Sequence, residues 1–178
     1  MNISLPGRIL FLSADPELVR SQLEGRDLTA AEAGTLRDDV STDEMTSQVA
    51  STVYDHRLGE LVLTAYQAGG VYPIGRQAVR KGGFSVIVAG NRYGKGSSRE
   101  HSPLAHLHAG IRLIVANSFE RIFRQNCDNL GIFTTTDFGL IDRLQRGQMP
   151  PLDVLVAGRD RLAAELLRAG GLLKYGKA

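Results

Sequence analysis

Short continuous apolar runs alternate along this chain with longer segments that carry helix start and stop signals. The apolar runs predict buried strands at Arg8–Leu12, Phe84–Ala89, Ile111–Ala116, Ile132–Thr134 and Leu152–Val156. The longer segments predict helices that start at Asp15-Pro16-Glu17 and at Ser97–Ala109, Asn117 to about Asn129, and Arg159–Arg168. Strands that alternate with helices of this length predict an α/β fold of β-α-β units around a central, mostly parallel sheet.

Capping and turn residues set the expected element boundaries. Asn117 with Glu120 three residues later fits a capping box, and Gly110 and Gly131 fit helix stops. The acidic region before residue 48 predicts a short helix at Ala30–Ala33 and a loop over Asp38–Glu44. Glycines bracket Leu61–Tyr66, which predicts strands and turns there.

Length and composition indicate an ordinary globular chain. With 178 residues, 43% of them hydrophobic and 22% charged, we expect one domain over residues 1–178 with a full apolar core. The single cysteine, Cys127, excludes an internal disulfide and a complete cysteine-ligated zinc or iron-sulfur site from this chain alone. The chain has neither a membrane-span-length apolar run nor a secretory signal pattern, so we expect a cytoplasmic protein without a membrane partner.

Charge is unevenly distributed although the net charge is only +2. Residues 1–60 carry five arginines against eleven acidic residues, whereas residues 76–100 carry six basic residues against Glu100 alone. A local basic zone on a nearly neutral protein suits a small polyanion better than a nucleic-acid backbone. A solvated basic face is the alternative interpretation.

The segment with the clearest chemical content follows the strand Phe84–Ala89. Gly90–Gly96 is a glycine-rich loop at the carboxyl end of a strand, where open α/β sheets bind ligands. Backbone N–H groups at the following helix start can bind anions, and Arg99 offers a planar donor pair for a carboxylate. A phosphate-binding P-loop is excluded because three residues, not four, separate Gly90 and Gly94, and because Gly96 replaces the magnesium-binding hydroxyl. A serine at this position could also serve only as a helix cap.

Residues 38–137 as a whole resemble the swivel domain of the aconitase superfamily, above all the small subunits of isopropylmalate dehydratases. The resemblance rests on a core motif of glycine, serine and arginine, on several shorter motifs downstream of it, and on an upstream Ser-Thr-Asp loop. These motifs are Gly94–His101, Gly110–Arg112, Asn117–Phe119, Ile122–Phe123, Asn126, Gly131 and Ser41–Glu44. The resemblance implies a three-layer β/β/α swivel domain.

The resemblance also implies an activity and a division of labour between two proteins. It implies a hydro-lyase that moves water on a small hydroxy di- or tricarboxylate, with leucine biosynthesis as the setting. In this family a large partner subunit carries a [4Fe–4S] cluster, and the swivel domain itself binds none. The substrate stays open among isopropylmalate, methylmalate-type and citrate-type acids, because the stretch after Asp43 matches neither specificity pattern closely.

Site residues follow from the motif positions. By position, Ser97 matches the catalytic base, which removes a proton next to a carboxylate, and Ser98 and Arg99 match contacts to substrate carboxylates. Asp43 matches an active-site aspartate of the upstream loop. Arg57 is the candidate for the residue that holds the far end of the substrate.

Other chemical interpretations of the chain remain as alternatives. His101, His106 and His108 lack the i, i+4 spacing of a helical zinc site, which favours packing and capping roles. Cys127 is expected to be a buried small apolar residue, with a reactive thiol as the alternative. A module that binds anions or RNA without catalysis is the other function class. Its RNA form is disfavoured because Tyr93 alone is interleaved with the basic residues and the chain has no tryptophan.

Overall fold

A four-stranded parallel sheet forms the centre of the structure. The computed structural model describes residues 5, 7–47, 50, 52–96 and 100–177. The strands are β1 (Arg8–Phe11), β2 (Phe84–Ala89), β3 (Leu113–Ala116) and β4 (Phe133–Thr135), in the order β1-β2-β3-β4. All three pairings are parallel, with Ile87 opposite Leu10 and Ile114. The predicted α/β architecture with a parallel sheet is therefore confirmed.

Short helices surround the sheet. In chain order they are α1 (Pro16–Leu23), α2 (Thr42–Met45), α3 (Ala78–Lys81), α4 (His101–Ala109), α5 (Arg121–Leu130), α6 (Gly139–Gln145), α7 (Leu152–Val156), α8 (Arg161–Ala169) and α9 (Leu172–Tyr175), with a 3₁₀ helix at His56–Glu60. Asp15 caps α1 through the N–H of Glu17, as its sequence position predicts. Over the described residues, no helix has the length and apolar character that crossing a bilayer requires.

Apolar cores cover both faces of the sheet, because alternate strand residues point to opposite sides. Ile87 and Ala89 of β2 belong to one core, and Val86 and Val88 belong to the other. All six residues of β2 are buried, as expected for a central parallel strand. Cys127 is completely buried in the first core, which confirms the prediction of a small apolar role.

One predicted strand is wrong, and a segment predicted to form strands and turns forms turns alone. Leu152–Val156 forms helix α7, which packs on β4 with Leu155 and Val156 buried. A largely apolar run of five residues fits a buried helix turn as well as a strand. The helix follows Pro151, whose carbonyl accepts a hydrogen bond from the N–H of Val154. Leu61–Tyr66 forms consecutive turns in which Leu63 has a φ of 58°.

Several other predicted elements differ from the structure in their bounds or type. Helix α5 begins at Arg121 rather than Asn117, because residues 117–120 extend along the glycine loop, where the N–H of Glu120 donates to the carbonyl of Tyr93 (3.0 Å). Residues Ala30–Ala33, predicted to be helical, form only a turn. In this turn the Glu32 carboxylate accepts hydrogen bonds from the N–H and the hydroxyl of Thr29. The predicted loop Asp38–Glu44 ends in helix α2, which starts at Thr42.

Candidate active site

The glycine loop between β2 and α4 is held in close contact with its surroundings. Gly94 has a φ of +88°, and a Cβ atom there would lie 2.3 Å from the Cγ of Phe123. At Gly90 a Cβ atom would meet an Asp38 carboxylate oxygen at 2.1 Å. That carboxylate accepts the Asn91 N–H (2.6 Å), which lowers the pKa of Asp38. Only glycine fits at Gly90 and Gly94, so the loop has one tightly determined path.

The upstream Ser-Thr-Asp segment pairs directly with this loop. The N–H of Gly94 donates to the carbonyl of Val40 (3.0 Å), and the N–H of Thr42 donates to the carbonyl of Lys95 (2.8 Å). Ser41 and Lys95 form a parallel bridge. Residues far apart in the sequence are thereby brought together at the carboxyl end of β2.

Helix α2 presents Asp43 at this junction. Ser41 and Glu44 form a complete capping box, with the Glu44 N–H on the Ser41 side chain (3.2 Å) and the Ser41 N–H on the Glu44 carboxylate (3.0 Å). The Glu44 carboxylate also pairs with Arg37 (2.8 Å). Asp43 lies in the first turn of α2 and is exposed. Asp43 therefore directly follows the Val40–Thr42 segment that pairs with the glycine loop.

The predicted residues Ser97, Ser98 and Arg99 lie outside the described residues. The chain is described up to Gly96 and again from Glu100, which directly precedes α4. A Cβ atom on Gly96 would lie 3.2 Å from the Oγ1 of Thr42, so the segment before Ser97 lies against α2.

A buried polar network lies beneath the loop. The Ser102 hydroxyl lies 2.8 Å from the Thr46 hydroxyl and donates to the carbonyl of Thr42 (3.2 Å), which ties α4 to α2. His106 bonds through Nδ1 to the carbonyl of Ser102 (2.6 Å) and through Nε2 to the hydroxyl of Tyr93 (2.8 Å). Ser102 and His106 are both completely buried. No local pattern in the sequence links Tyr93 and Ser102 to His106, and only their burial in the fold reveals the network.

Burial controls the protonation of this network. It lowers the pKa of His106 to about 4, against an opposing contribution from the hydrogen bond to Ser102. It also raises the pKa of the Tyr93 hydroxyl. Both side chains are therefore neutral at neutral pH, and His106 serves packing, as the sequence predicts for it.

Arg57 lies in the 3₁₀ helix that packs along α4. Its guanidinium pairs with Asp55 (2.8 Å), and hydrogen bonds from Arg57 lower the pKa of that carboxyl to about 2. The Tyr54 ring lies 4.4 Å from that of His101, so this segment reaches the start of α4. The described contacts of Arg57 join it to Asp55 rather than to Asp43 or the glycine loop.

The basic zone at residues 76–100 is partly neutralised. Arg76 pairs with Glu60 (2.8 Å) and Arg92 pairs with Asp39 (2.7 Å). Lys95 is exposed at the Ser41 bridge. Within the part of the chain that the structure describes, no three His, Cys, Asp or Glu residues are grouped to hold a metal ion.

Comparison with solved structures identifies a related fold. A crystal structure of 3-isopropylmalate dehydratase from Methanocaldococcus jannaschii superposes with a TM-score of 0.57 and 27% identity, covering 79% of this chain and 87% of that one.

Sequence comparison points to the same group. A small subunit of 3-isopropylmalate dehydratase from Methanopyrus kandleri is 37% identical over 123 residues, which is 69% of each chain. The homoaconitase small subunit of Thermus thermophilus is 33% identical over 152 residues, 79% of this chain and 90% of the relative. The match to the 3-isopropylmalate dehydratase small subunit of Aquifex aeolicus spans 63% of that relative's length. The family model for the aconitase C-terminal domain matches residues 33–136, which include both the Ser41–Glu44 segment and the glycine loop. The chain therefore belongs to the aconitase C-terminal domain family.

Proposed function

We propose that this chain is the small subunit of a hydro-lyase that acts on a hydroxy di- or tricarboxylate, with the isomerisation of 2-isopropylmalate to 3-isopropylmalate as the preferred reaction. The pairing of Val40–Thr42 with Gly94–Lys95 carries the proposal, because it brings Asp43 to the loop that leads into Ser97–Arg99. The names of the Methanopyrus and Aquifex relatives support the substrate.

In the proposed reaction Ser97 removes the proton next to a substrate carboxylate, and Ser98, Arg99, Asp43 and Arg57 bind the substrate. A serine hydroxyl is a weak base and needs activation. A helix N-terminus can supply about 0.3 to 2 kcal/mol to a nearby group, which lowers its pKa by at most about 1.5 units. This contribution alone is far too small to turn a serine hydroxyl into an effective base. The larger share must come from Arg99 and oriented N–H groups in a site closed from water, which requires a second protein surface.

The [4Fe–4S] cluster of the proposed reaction belongs to a large partner subunit. The residues of this chain do not fit such a cluster, because its one cysteine is completely buried in α5 and burial raises the pKa of its thiol. The proposed contribution of this chain is therefore the base and the carboxylate contacts alone.

Anaerobic reconstitution with the cluster-bearing large subunit encoded in the same genome tests the proposal. Isopropylmalate, methylmalate, citrate and homocitrate would be assayed in parallel by absorbance of the unsaturated product. We expect turnover that needs both proteins, is highest with isopropylmalate and is lost in Ser97→Ala but not in Ser21→Ala. Preference for homocitrate would instead support the activity named for the Thermus relative. Failure of the two proteins to associate would favour a binding module.

A further inference from the structure

A cavity of about 520 Å³ lies at the opposite end of the sheet from the glycine loop. It opens beside Arg112, which precedes β3, and beside Gly131 and Phe133 at the start of β4. The last turn of α4 and the end of α8 complete its wall. Its volume is typical of small-molecule sites, and the proposed reaction does not use it.

The cavity has an apolar wall. Aliphatic and aromatic side chains from both cores reach it, including Leu107, Leu130, Phe133, Leu152 and Leu167. An apolar body of a ligand can be buried here away from water, and removal of its apolar surface from water favours binding.

The charged side chains of the wall are cationic. Arg112, Arg168 and Lys174 line the cavity together with His108, whose pKa is lowered by burial, and none of the described lining residues is acidic. Three cations around one apolar cavity repel one another, and an anion placed among them relieves that repulsion.

The fold holds Arg112 in place, and the exposed Lys174 lies at the end of α8. Arg112 donates through Nη1 to the carbonyls of Leu107 and Ile111 (both 3.0 Å), so its described hydrogen bonds leave Nε and Nη2 for a ligand. A Cβ atom on Gly170 would lie 3.3 Å from the Nζ of Lys174, which places that ammonium group over the end of α8. The third, Arg168, pairs with the exposed Asp153 (2.9 Å).

We propose that this cavity binds an amphipathic organic anion, with an acid group among Arg112, Arg168 and Lys174 and an apolar body against the leucine wall. The ligand should carry no cationic group, because no acidic side chain lines the described wall to pair with one. The chemistry therefore excludes amino acids and favours simple carboxylates with a branched or aromatic body.

Titration of the full chain with 4-phenylbutanoate tests the proposal. Its uncharged analogue 4-phenylbutan-1-ol and its cationic analogue 4-phenylbutylamine share the apolar body. We expect saturable binding of the carboxylate by calorimetry, about tenfold weaker binding of the alcohol and none of the amine. Amide resonances of Gly131 and Gly170 should shift in the labelled protein.

Two variants and a matched control localise the site. Lys174→Gln and Arg168→Gln should each weaken carboxylate binding about three- to tenfold, because each removes one charge-assisted contact. Lys177→Gln, an exposed lysine of the same segment outside the lining, should leave it unchanged. The proposal would be overturned if the carboxylate and the alcohol bound equally, or if the amide shifts were confined to other parts of the chain. It would also be overturned if binding did not saturate at about 10 mM ligand, since a Kd above that value means a binding free energy under about 3 kcal/mol.

Discussion

The hydroxyl of Tyr93 lies 2.8 Å from the Nε2 atom of His106, and this bond joins the glycine loop to helix α4 inside the core. The Nδ1 atom of His106 faces the carbonyl of Ser102, which can only accept, so His106 carries its proton on Nδ1. Nε2 is therefore the acceptor and the Tyr93 hydroxyl is the donor. The loop and the helix that flank Ser97–Arg99 are thus fastened to each other by a neutral, buried network.

Tyr93→Phe should destabilise the protein by about 1 to 3 kcal/mol. The substitution keeps the ring, which packs edge-on against Phe119 and Phe123, but it leaves Nε2 of the buried His106 without its donor. Urea denaturation measures the change. Tyr72→Phe is the matched control, since that hydroxyl is exposed and accepts a hydrogen bond from the side chain of Gln67. Equal stability of the two variants would remove the Tyr93–His106 bond as a stabilising contact.

The stability contribution of His106 should depend on pH. Its pKa is about 4 in the folded protein, below the ordinary value of 6.5, because burial disfavours the charged ring. Between pH 6.5 and 4 the unfolded chain binds a proton that the folded chain does not, so stability falls as the pH falls. The loss attributable to His106 approaches about 3 kcal/mol at pH 4.

The measurement is the difference in unfolding free energy between the parent protein and His106→Gln at several pH values. The parent should lose about 3 kcal/mol more than the variant between pH 6.5 and 4. The exposed His56→Gln serves as control. Parallel curves for the parent and His106→Gln would contradict a buried neutral imidazole.

Gly94→Ala should destabilise the fold by more than about 2 kcal/mol. The new Cβ atom would lie 2.3 Å from the Cγ atom of Phe123. The alanine would also have to adopt a backbone φ of +88°, which L-residues avoid. Gly75→Ala is a suitable control, since open space surrounds that position and its φ is not positive. Thermal and urea unfolding of both variants would be compared. A Gly94→Ala protein as stable as Gly75→Ala would show that the loop can take another path.

Arg159→Ala should cost about 3 to 5 kcal/mol. Its guanidinium contacts Asp128 at 3.1 Å and the Thr134 carbonyl at 3.0 Å, and both charged side chains are at most 9% exposed. Burial raises the pKa of the Asp128 carboxyl, so its charged form depends on the cations around it. The double variant Arg159→Ala/Asp128→Asn should recover part of the loss. No recovery in urea denaturation would mean that Arg159 acts through packing alone.

Strong local signals made the sheet and the candidate loop predictable. The apolar run Phe84–Ala89 matches β2 at both ends, because a central strand buried on both faces has no polar positions to blur its limits. The short run Leu152–Val156 is also largely apolar but forms a helix that packs on β4, and this packing is not encoded in the local sequence. Local apolar content predicts burial better than it predicts the backbone.

Long-range pairing explains what the sequence concealed. Asn117 and Glu120 have the residue types of a capping box. However, the N–H of Glu120 donates to the carbonyl of Tyr93, and the helix begins only at Arg121. The pairing of Ser41 with Lys95 joins residues 54 positions apart, and only the motif resemblance suggested it. The ion pair of Arg57 with Asp55 was not predicted either, although aspartate is a preferred helix cap and Asp55 caps the 3₁₀ helix by accepting from the N–H of Arg57.

Arg99→Lys should raise the KM of the reconstituted enzyme for its substrate about tenfold or more. The proposed role of Arg99 is a two-pronged hydrogen bond to a substrate carboxylate, and the single ammonium group of lysine keeps the charge but not that geometry. Arg92→Lys is the matched control, because Arg92 lies on the same loop and pairs with Asp39 at the surface. Initial rates over a range of substrate concentrations, with the large subunit in excess, separate KM from kcat. A KM for Arg99→Lys equal to that of Arg92→Lys would remove Arg99 from the substrate site, and the carboxylate contact would then have to come from another cation near the loop, with Lys95 the first to be tested.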